Sequence, residues 1–189
     1  EELERSNVFV IPLDSERKWY RYHHLFGDLL KQRCSNLYDA ELKELHTLAS
    51  TWFEQNNMQD FAIDHALVVK DFKRSINLIE HIIERLWQNG HHGAIISYGE
   101  QIPLELIQNK PVFALYYAWI LASSGKTDKA LPLLLSAERL TKTVDSSSSK
   151  GEHKYYSRIA VALAYVYAQI EQNVDAFKFS EIALFHLPK

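Results

Sequence analysis

A chain of 189 residues with 47% hydrophobic and 24% charged residues has an ordinary globular composition, long enough for one or two domains with a real core. A formal net charge of −3 and a pI near 6.3 give no electrostatic footprint for nucleic acid, so direct nucleic-acid contact by this chain is not expected. No apolar run approaches a membrane span, and the lone cysteine, Cys34, excludes an intrachain disulfide and suits a reducing cytoplasmic setting.

The chain opens EELERS, with no initiator Met and no signal-peptide pattern, and is expected to be a piece of a longer protein. Residues 1–6 are expected to end a helix that began upstream. Residues 8–12 (VFVIP) are a short β-branched run that stops at Pro12. Residues 14–17 (DSER) are turn-like, and 18–22 (KWYRY) form an aromatic strand. Together they predict a hairpin, the wing of a winged-helix module. Over 24–34, Leu25/Phe26, Leu29/Leu30 and Cys34 recur at helical spacing. Cys34 falls on the apolar side and reads as a small buried residue rather than a nucleophile.

From about residue 38 the chain reads as all helix. Tyr38, Leu42, Leu45, Ala49 and Trp52 form one apolar stripe. Asn57 is placed to cap a helix carrying Phe61, Ala62, Ala66 and Val69. Asp71 is placed to cap the next, with Phe72, Ile76, Ile79, Ile83 and Leu86 on one face. Gly90 ends it. Residues 91–108 predict one helix and a short turn of another, broken at Pro103. Pro111 opens a helix through Ser124 that Gly125 closes, and 127–143 forms its partner. The polar stretch 145–153 (DSSSSKGEH) predicts a mobile loop. Helices over 154–171 and 174–187 complete the chain, ending at Pro188.

The last two pairs share a frame. Ala118, Gly125, Ala130 and Ala137 match the spacing of Leu163, Ala164, Tyr167, Ala176, Ala183 and Pro188. Ala118 to Ala130 and Ala164 to Ala176 are both twelve residues, and the next alanines follow after seven. Small residues at these points let the two helices of a tetratricopeptide-like hairpin approach closely, while larger ones fill the seam to the next hairpin. The offset of 46 residues exceeds the standard period of about 34, so the Ser-rich loop reads as an insertion. A weaker version of the frame fits Ser50, Phe53 and Ala62. The fold class expected is mostly α: tetratricopeptide-like helical-hairpin repeats (an α-solenoid) preceded by a β-hairpin and helix from a winged-helix module.

Catalytic patterns fail on inspection. Ser124-Gly125-Lys126-Thr127 contains GKT, but a P-loop needs a glycine where Ile120 stands and a strand where a helix is expected; a helix C-cap is the favoured reading. Gly93 to Gly99 (GAIISYG) would need a glycine at Ile95 to be a serine elbow. Glu80, His81 and Glu84 share a helix without the second histidine of a zinc-protease helix, so a solvated face is favoured. His91 and His92 have no carboxylate or cysteine at ligand spacing, and His46, His65, His81, His153 and His186 are scattered without partners. No catalytic residue and no metal ligand is assigned. Tyr98, Tyr116, Tyr117 and Trp119 are aromatic candidates for binding, though residues at such spacing are usually core. His23 falls at the start of the helix after the wing, where free N–H groups and the positive helix end favour an anion. Spacing alone favours an N-cap histidine packed on the hairpin.

LERSNVFVIPLD (3–14), WYRYHHLFGDLLKQRC (19–34) and LHTLASTWFEQNNMQDFAIDHALVVKDFKRSINLIE (45–80) closely resemble the large ATP-dependent transcription regulators of the MalT type, signal-transduction ATPases with a LuxR-like DNA-binding end. The resemblance covers nearly the whole chain, strongest over 1–90 and generic after 110. It implies three parts: the C-terminal part of a winged-helix domain (1–35), a helical arm (36–109), and tetratricopeptide-like repeats opening a sensor domain (110–189). The family's histidine that meets bound ADP lies in Tyr-His-x-Leu-Phe, here Tyr22-His23-His24-Leu25-Phe26, so the resemblance assigns an ADP phosphate contact to His23 in the whole protein. It also implies ATP and ADP as ligands of that protein, though not of this chain alone. The implied partners are its own nucleotide-binding domain and an inducer or regulatory protein on the repeats, with self-association on activation. The chain alone is expected to be neither an ATPase nor a DNA binder. A repeat scaffold that binds peptides, unrelated to transcription, is the alternative, although it has no use for a wing.

Overall fold

The structure, a computed structural model, describes residues 9–17, 19–35, 39–144 and 150–186. They are mostly helical, with one two-stranded sheet. Two compact units divide between Ala49 and Ser50.

The first unit begins with the expected hairpin. β1 (Val10–Pro12) pairs antiparallel with β2 (Tyr20–Tyr22), setting Val10 against Tyr22, Ile11 against Arg21 and Pro12 against Tyr20. Asp14 organises the turn. Its carbonyl accepts from the Arg17 N–H (3.3 Å) and its carboxylate from the Trp19 N–H (3.1 Å), with Arg17 in the left-handed region at φ 54°. Helix α1 (His24–Ser35) follows. Phe26 stacks on Phe9 at 5.4 Å and meets the edge of Tyr22 at 5.5 Å, a small aromatic nucleus joining helix to hairpin. Two short strands cannot cover a whole helix face. Cys34 is therefore exposed, not buried, and so are Leu25 (68%) and Leu29. The residues 1–6 expected to be helical lie outside the described residues.

Helix α2 (Asp39–Gln55) runs from the first unit into the second. Of the stripe expected along it, Leu42 and Ala49 are half-buried, Leu45 (62%) and Trp52 are exposed, and Tyr38 lies outside the described residues, while Ser50 is fully buried. Ser50 donates from Oγ to the Ala62 carbonyl (2.8 Å) and accepts from Arg74 Nε (2.9 Å), and Phe53 stacks on Phe61 (5.2 Å) and His65 (5.4 Å). The face of α2 that meets the next helix is thus set by Ser50 and Phe53.

Helices α3 (Gln59–Val68), α4 (Phe72–Gln88), α5 (His92–Gln101), α6 (Leu104–Ile107), α7 (Pro111–Ser123), α8 (Thr127–Val144), α9 (Lys150–Gln169) and α10 (Asn173–His186) complete the second unit. Asn57 ends α2 instead of capping α3. It sits in the left-handed region at φ 58°, the Met58 N–H returns to the Phe53 carbonyl (2.9 Å), and Met58 is the N-cap of α3. Asp71 caps α4 as expected, accepting from the Arg74 N–H at 3.1 Å. Ile76, Ile79, Ile83 and Leu86 form its buried face. Gly90 (φ 72°) and Gly125 (φ 78°) hold the left-handed positions that close α4 and α7. Pro103 and Pro111 stand at the starts of α6 and α7. The stretch expected to be a loop through 153 is shorter: α9 already begins at Lys150, and 145–149 lie outside the described residues.

Helix α7 lies at the centre, packed against α4, α5, α6, α8 and α9. Phe113 to Ala118 and Ile120 to Ala122 are buried, so the helix is apolar on nearly every side. Ala118, Ala130 and Ala137 of α7 and α8 have no exposed surface, while Ala164 and Ala176, at the matching places in the next pair, are half-buried. Between α9 and α10, Tyr167 stacks on Phe179 at 5.6 Å. Gly99 of α5 touches the Tyr117 ring so closely that a Cβ would collide with it.

One polar cluster ties α4 and α9 together across α7. Glu84 accepts from the Tyr155 hydroxyl (3.1 Å) and from Arg158 Nη1 (3.2 Å), and Nη1 also donates to the Tyr116 hydroxyl. Burial first, then the hydrogen bond to Glu84 and its charge, raises the Tyr155 phenol from 10.0 to about 12.

Three variants test this packing. Gly99→Ala should lose about 1–3 kcal/mol in urea denaturation, because the new methyl forces the Tyr117 ring out of place; an unchanged midpoint would show that the ring yields freely. The folded state holds the Tyr155 proton more tightly than the unfolded chain. Its contribution is complete below pH 10 and is lost as pH rises through about 12. Tyr155→Phe should therefore flatten the alkaline loss of stability across that window. Glu84→Gln should bring the Tyr155 titration, read by tyrosinate absorbance, part of the way back toward 10.0, since burial remains.

Candidate functional site

His23 is the last residue before α1. Its backbone N–H donates to the Phe9 carbonyl (2.6 Å), and its own carbonyl accepts from the Gly27 N–H (2.9 Å), the first bond of the helix. The residue is therefore pinned to the hairpin on one side and to the helix on the other. Its ring is half-buried, 6.5 Å from Phe9 and 4.3 Å from His24 between centroids. The first N–H groups of any helix lack intrahelical partners, so the ring stands beside an electropositive end. Sequence spacing placed it there correctly.

The four aromatic candidates separate. Tyr98, Tyr116 and Tyr117 all belong to the core. Burial, then the Asp60 and Asp64 carboxylates, pushes the Tyr98 phenol well above its usual range. Burial, then Glu100, raises Tyr117, whose ring lies on Gly99. Buried Tyr116 and half-buried Trp119 also line a cleft of about 270 Å³, together with Trp87, Leu115, Arg158 and Val161. Its walls are braced. Trp87 packs on His92 (4.7 Å) and Tyr116 (5.2 Å) and meets the edge of Trp119 (6.4 Å), and Tyr165 stacks on Trp119 at 5.8 Å. Tyr116 keeps its proton, because burial raises its phenol more than Arg158 lowers it.

Trp87 and Arg158 are functional candidates that the sequence did not offer. They sit on α4 and α9, far apart in the chain, and only packing around α7 joins them. The one local signal is Arg158 itself, a single charge at the head of the apolar run Ile159 to Ala164.

A second cleft of about 270 Å³ is polar, lined by Glu54, Asp71, Lys73, Arg74, Asn77, Leu78 and His81. Its arginine is occupied: Arg74 donates from Nε to Ser50 and from Nη2 to Glu54. The GKT stretch lies at the end of α7, with Ser124 as C-cap. Gly93 is exposed and Gly99 buried. Glu80 pairs with Lys110 at 3.2 Å, His81 Nδ1 lies 2.6 Å from the Asn77 carbonyl, and Glu84 belongs to the Arg158 cluster. His91 and His92 are exposed, while His46 and His65 are half-buried. The His153 and His186 side chains lie outside the described residues. Among the described residues no helix is long and apolar enough to cross a membrane.

Two comparisons bear on these features. No solved structure matches the chain. Residues 1–42 match the family model of the MalT winged helix domain, the stretch that carries the hairpin, α1 and His23. The match supports a MalT-like transcription regulator as the protein to which this segment is similar.

Proposed function

We propose that the chain is a regulatory and interaction segment of an ATP-dependent transcription activator of the MalT and LuxR type, acting in the cytoplasm and without catalytic activity of its own. The match of residues 1–42 is the observation that carries this reading. In it, the hairpin and α1 close a winged helix that packs against the protein's own nucleotide-binding domain. The exposed Leu25 and Leu29, one turn apart on the same face of α1, support that as apolar groups open to a partner. His23 supplies a contact to a phosphate of bound ADP and holds the resting state. The helical hairpins are tetratricopeptide-like sensor repeats that receive an inducer or a regulatory protein. ATP exchange and that signal release the resting state and allow self-association.

The reading makes a paired expectation. Residues 1–189 alone should show no measurable ADP binding by calorimetry, because they carry no P-loop. In the whole regulator, His23→Ala should weaken ADP binding about tenfold or more, the worth of a hydrogen bond to a charged group, and raise transcription without signal. Unchanged ADP affinity in that variant would remove His23 from the site. Tight ADP binding by the isolated chain would contradict the domain assignment.

A further inference from the structure

We propose that the cleft between α4, α7 and α9 is a binding site for a small planar aromatic molecule of one or two rings that carries a neutral carbonyl oxygen. This deepens the sensor reading above and draws its biological meaning from it, but the binding itself is a property of this chain alone.

Size sets the first limit. A cavity of about 150 Å³ holds benzene, and drug-sized ligands occupy about 300–1,000 Å³. At about 270 Å³ the cleft suits one ring or two fused rings. Shape and chemistry of the walls set the second. Trp87 and Trp119 are half-buried indoles set edge to face, each held by other rings, so little side-chain freedom is lost when a flat ligand packs against them. Leu115 and Val161 complete an apolar lining.

The polar end sets the third. Arg158 has a side chain 41% exposed, and all of its contacts to Glu84 and Tyr116 run through Nη1. Among the described residues its Nε and Nη2 are not engaged. That edge of the guanidinium presents parallel N–H groups suited to one oxygen or two. The Tyr116 hydroxyl accepts from Arg158 and retains its own hydrogen, a third donor at the same end. Glu84 already balances the Arg158 charge. An anionic ligand would leave one uncompensated negative charge in a half-buried site, and a cationic one would face the guanidinium. A neutral carbonyl satisfies the open donors without either cost. The polar cleft around Arg74 lacks this property, since Nε and Nη2 there are both taken.

The test uses the four tryptophans of the chain as internal probes. Naphthalene-2-carboxamide is titrated into the nitrogen-15-labelled chain and the indole N–H signals are followed. Those of Trp87 and Trp119 should shift with saturation while those of Trp19 and Trp52 stay. Val161→Phe, at a half-exposed position on the rim, should fill the cleft and abolish the shifts. Arg158→Gln should weaken binding about tenfold, the worth of about one charge-assisted hydrogen bond. Glu84→Gln combined with Arg158→Gln should do the same while removing the charge that Arg158 balances. Naphthalene-2-carboxylate should bind more weakly than the carboxamide. The proposal is overturned by unmoved Trp87 and Trp119 signals at about millimolar probe, by equal movement of all four indoles, or by full binding to Val161→Phe. Binding in a chain whose parent does not regulate transcription would overturn the proposed function and leave this site standing.

Discussion

The second unit depends on the burial of α7. A helix that is apolar all round has no solvent face, so every side must be covered by another element. Here α4, α5, α6, α8 and α9 cover it, and residues from 72 to 169 are drawn around one axis. Each fully buried Ile, Leu or Phe contributes about 1.5–3 kcal/mol, and Ile79, Ile83, Ile95, Leu133, Leu134 and Ile159 on the surrounding helices share that burial with Phe113 of α7. Small residues stand where helices come close: Gly99 beneath Tyr117 on one side, and fully buried Ala118, Ala130 and Ala137 on the packed pair α7 and α8. The cover is thinnest between α4 and α9, where Trp119 of α7 is only half-buried and the cleft opens over it and Tyr116.

The two arginines of the second unit illustrate how satisfaction of polar groups decides what a surface can still do. Arg74 closes a local network: Ser50 is buried between the Ala62 carbonyl and the guanidinium, and Glu54 takes the far end. A buried hydroxyl needs such partners, and the cost of losing them stabilises the α2–α3–α4 corner. Arg158 differs. Its Nη1 is bound twice, to Glu84 and Tyr116, and that suffices to hold α9 to α4 and α7. The other edge of the fork remains for a ligand. The number of donors already engaged therefore separates two clefts of equal volume better than their size does.

Local rules were legible where the cause of an element lies inside it. Asp71 caps α4 because its carboxylate reaches a nearby N–H, Gly90 and Gly125 close helices because they accept a left-handed backbone, and Pro111 opens α7 because it needs no N–H there. The readings that failed needed information from elsewhere. Periodicity assigned Leu45, Trp52 and Cys34 to buried faces, but a stripe records only what a helix could bury, and the neighbours present cover a different face. Asn57 is a good residue both for starting a helix and for ending one. The return bond from Met58 to Phe53 decides for ending, and no pattern in the local sequence distinguishes the two. The cleft was invisible for the same reason, since Trp87 and Arg158 meet only through the packing of α7.

His23 shows how position and role come from different sources. Spacing and backbone geometry agree on its place: the hairpin holds its N–H and α1 holds its carbonyl. With the main chain fixed at both ends, only side-chain torsions remain to the imidazole, and Phe9 and His24 crowd two sides of it. A ring so restrained is poorly suited to a large movement but well suited to marking one position relative to the hairpin. The two backbone bonds of His23, rather than its side chain, therefore fix where the start of α1 stands on the hairpin.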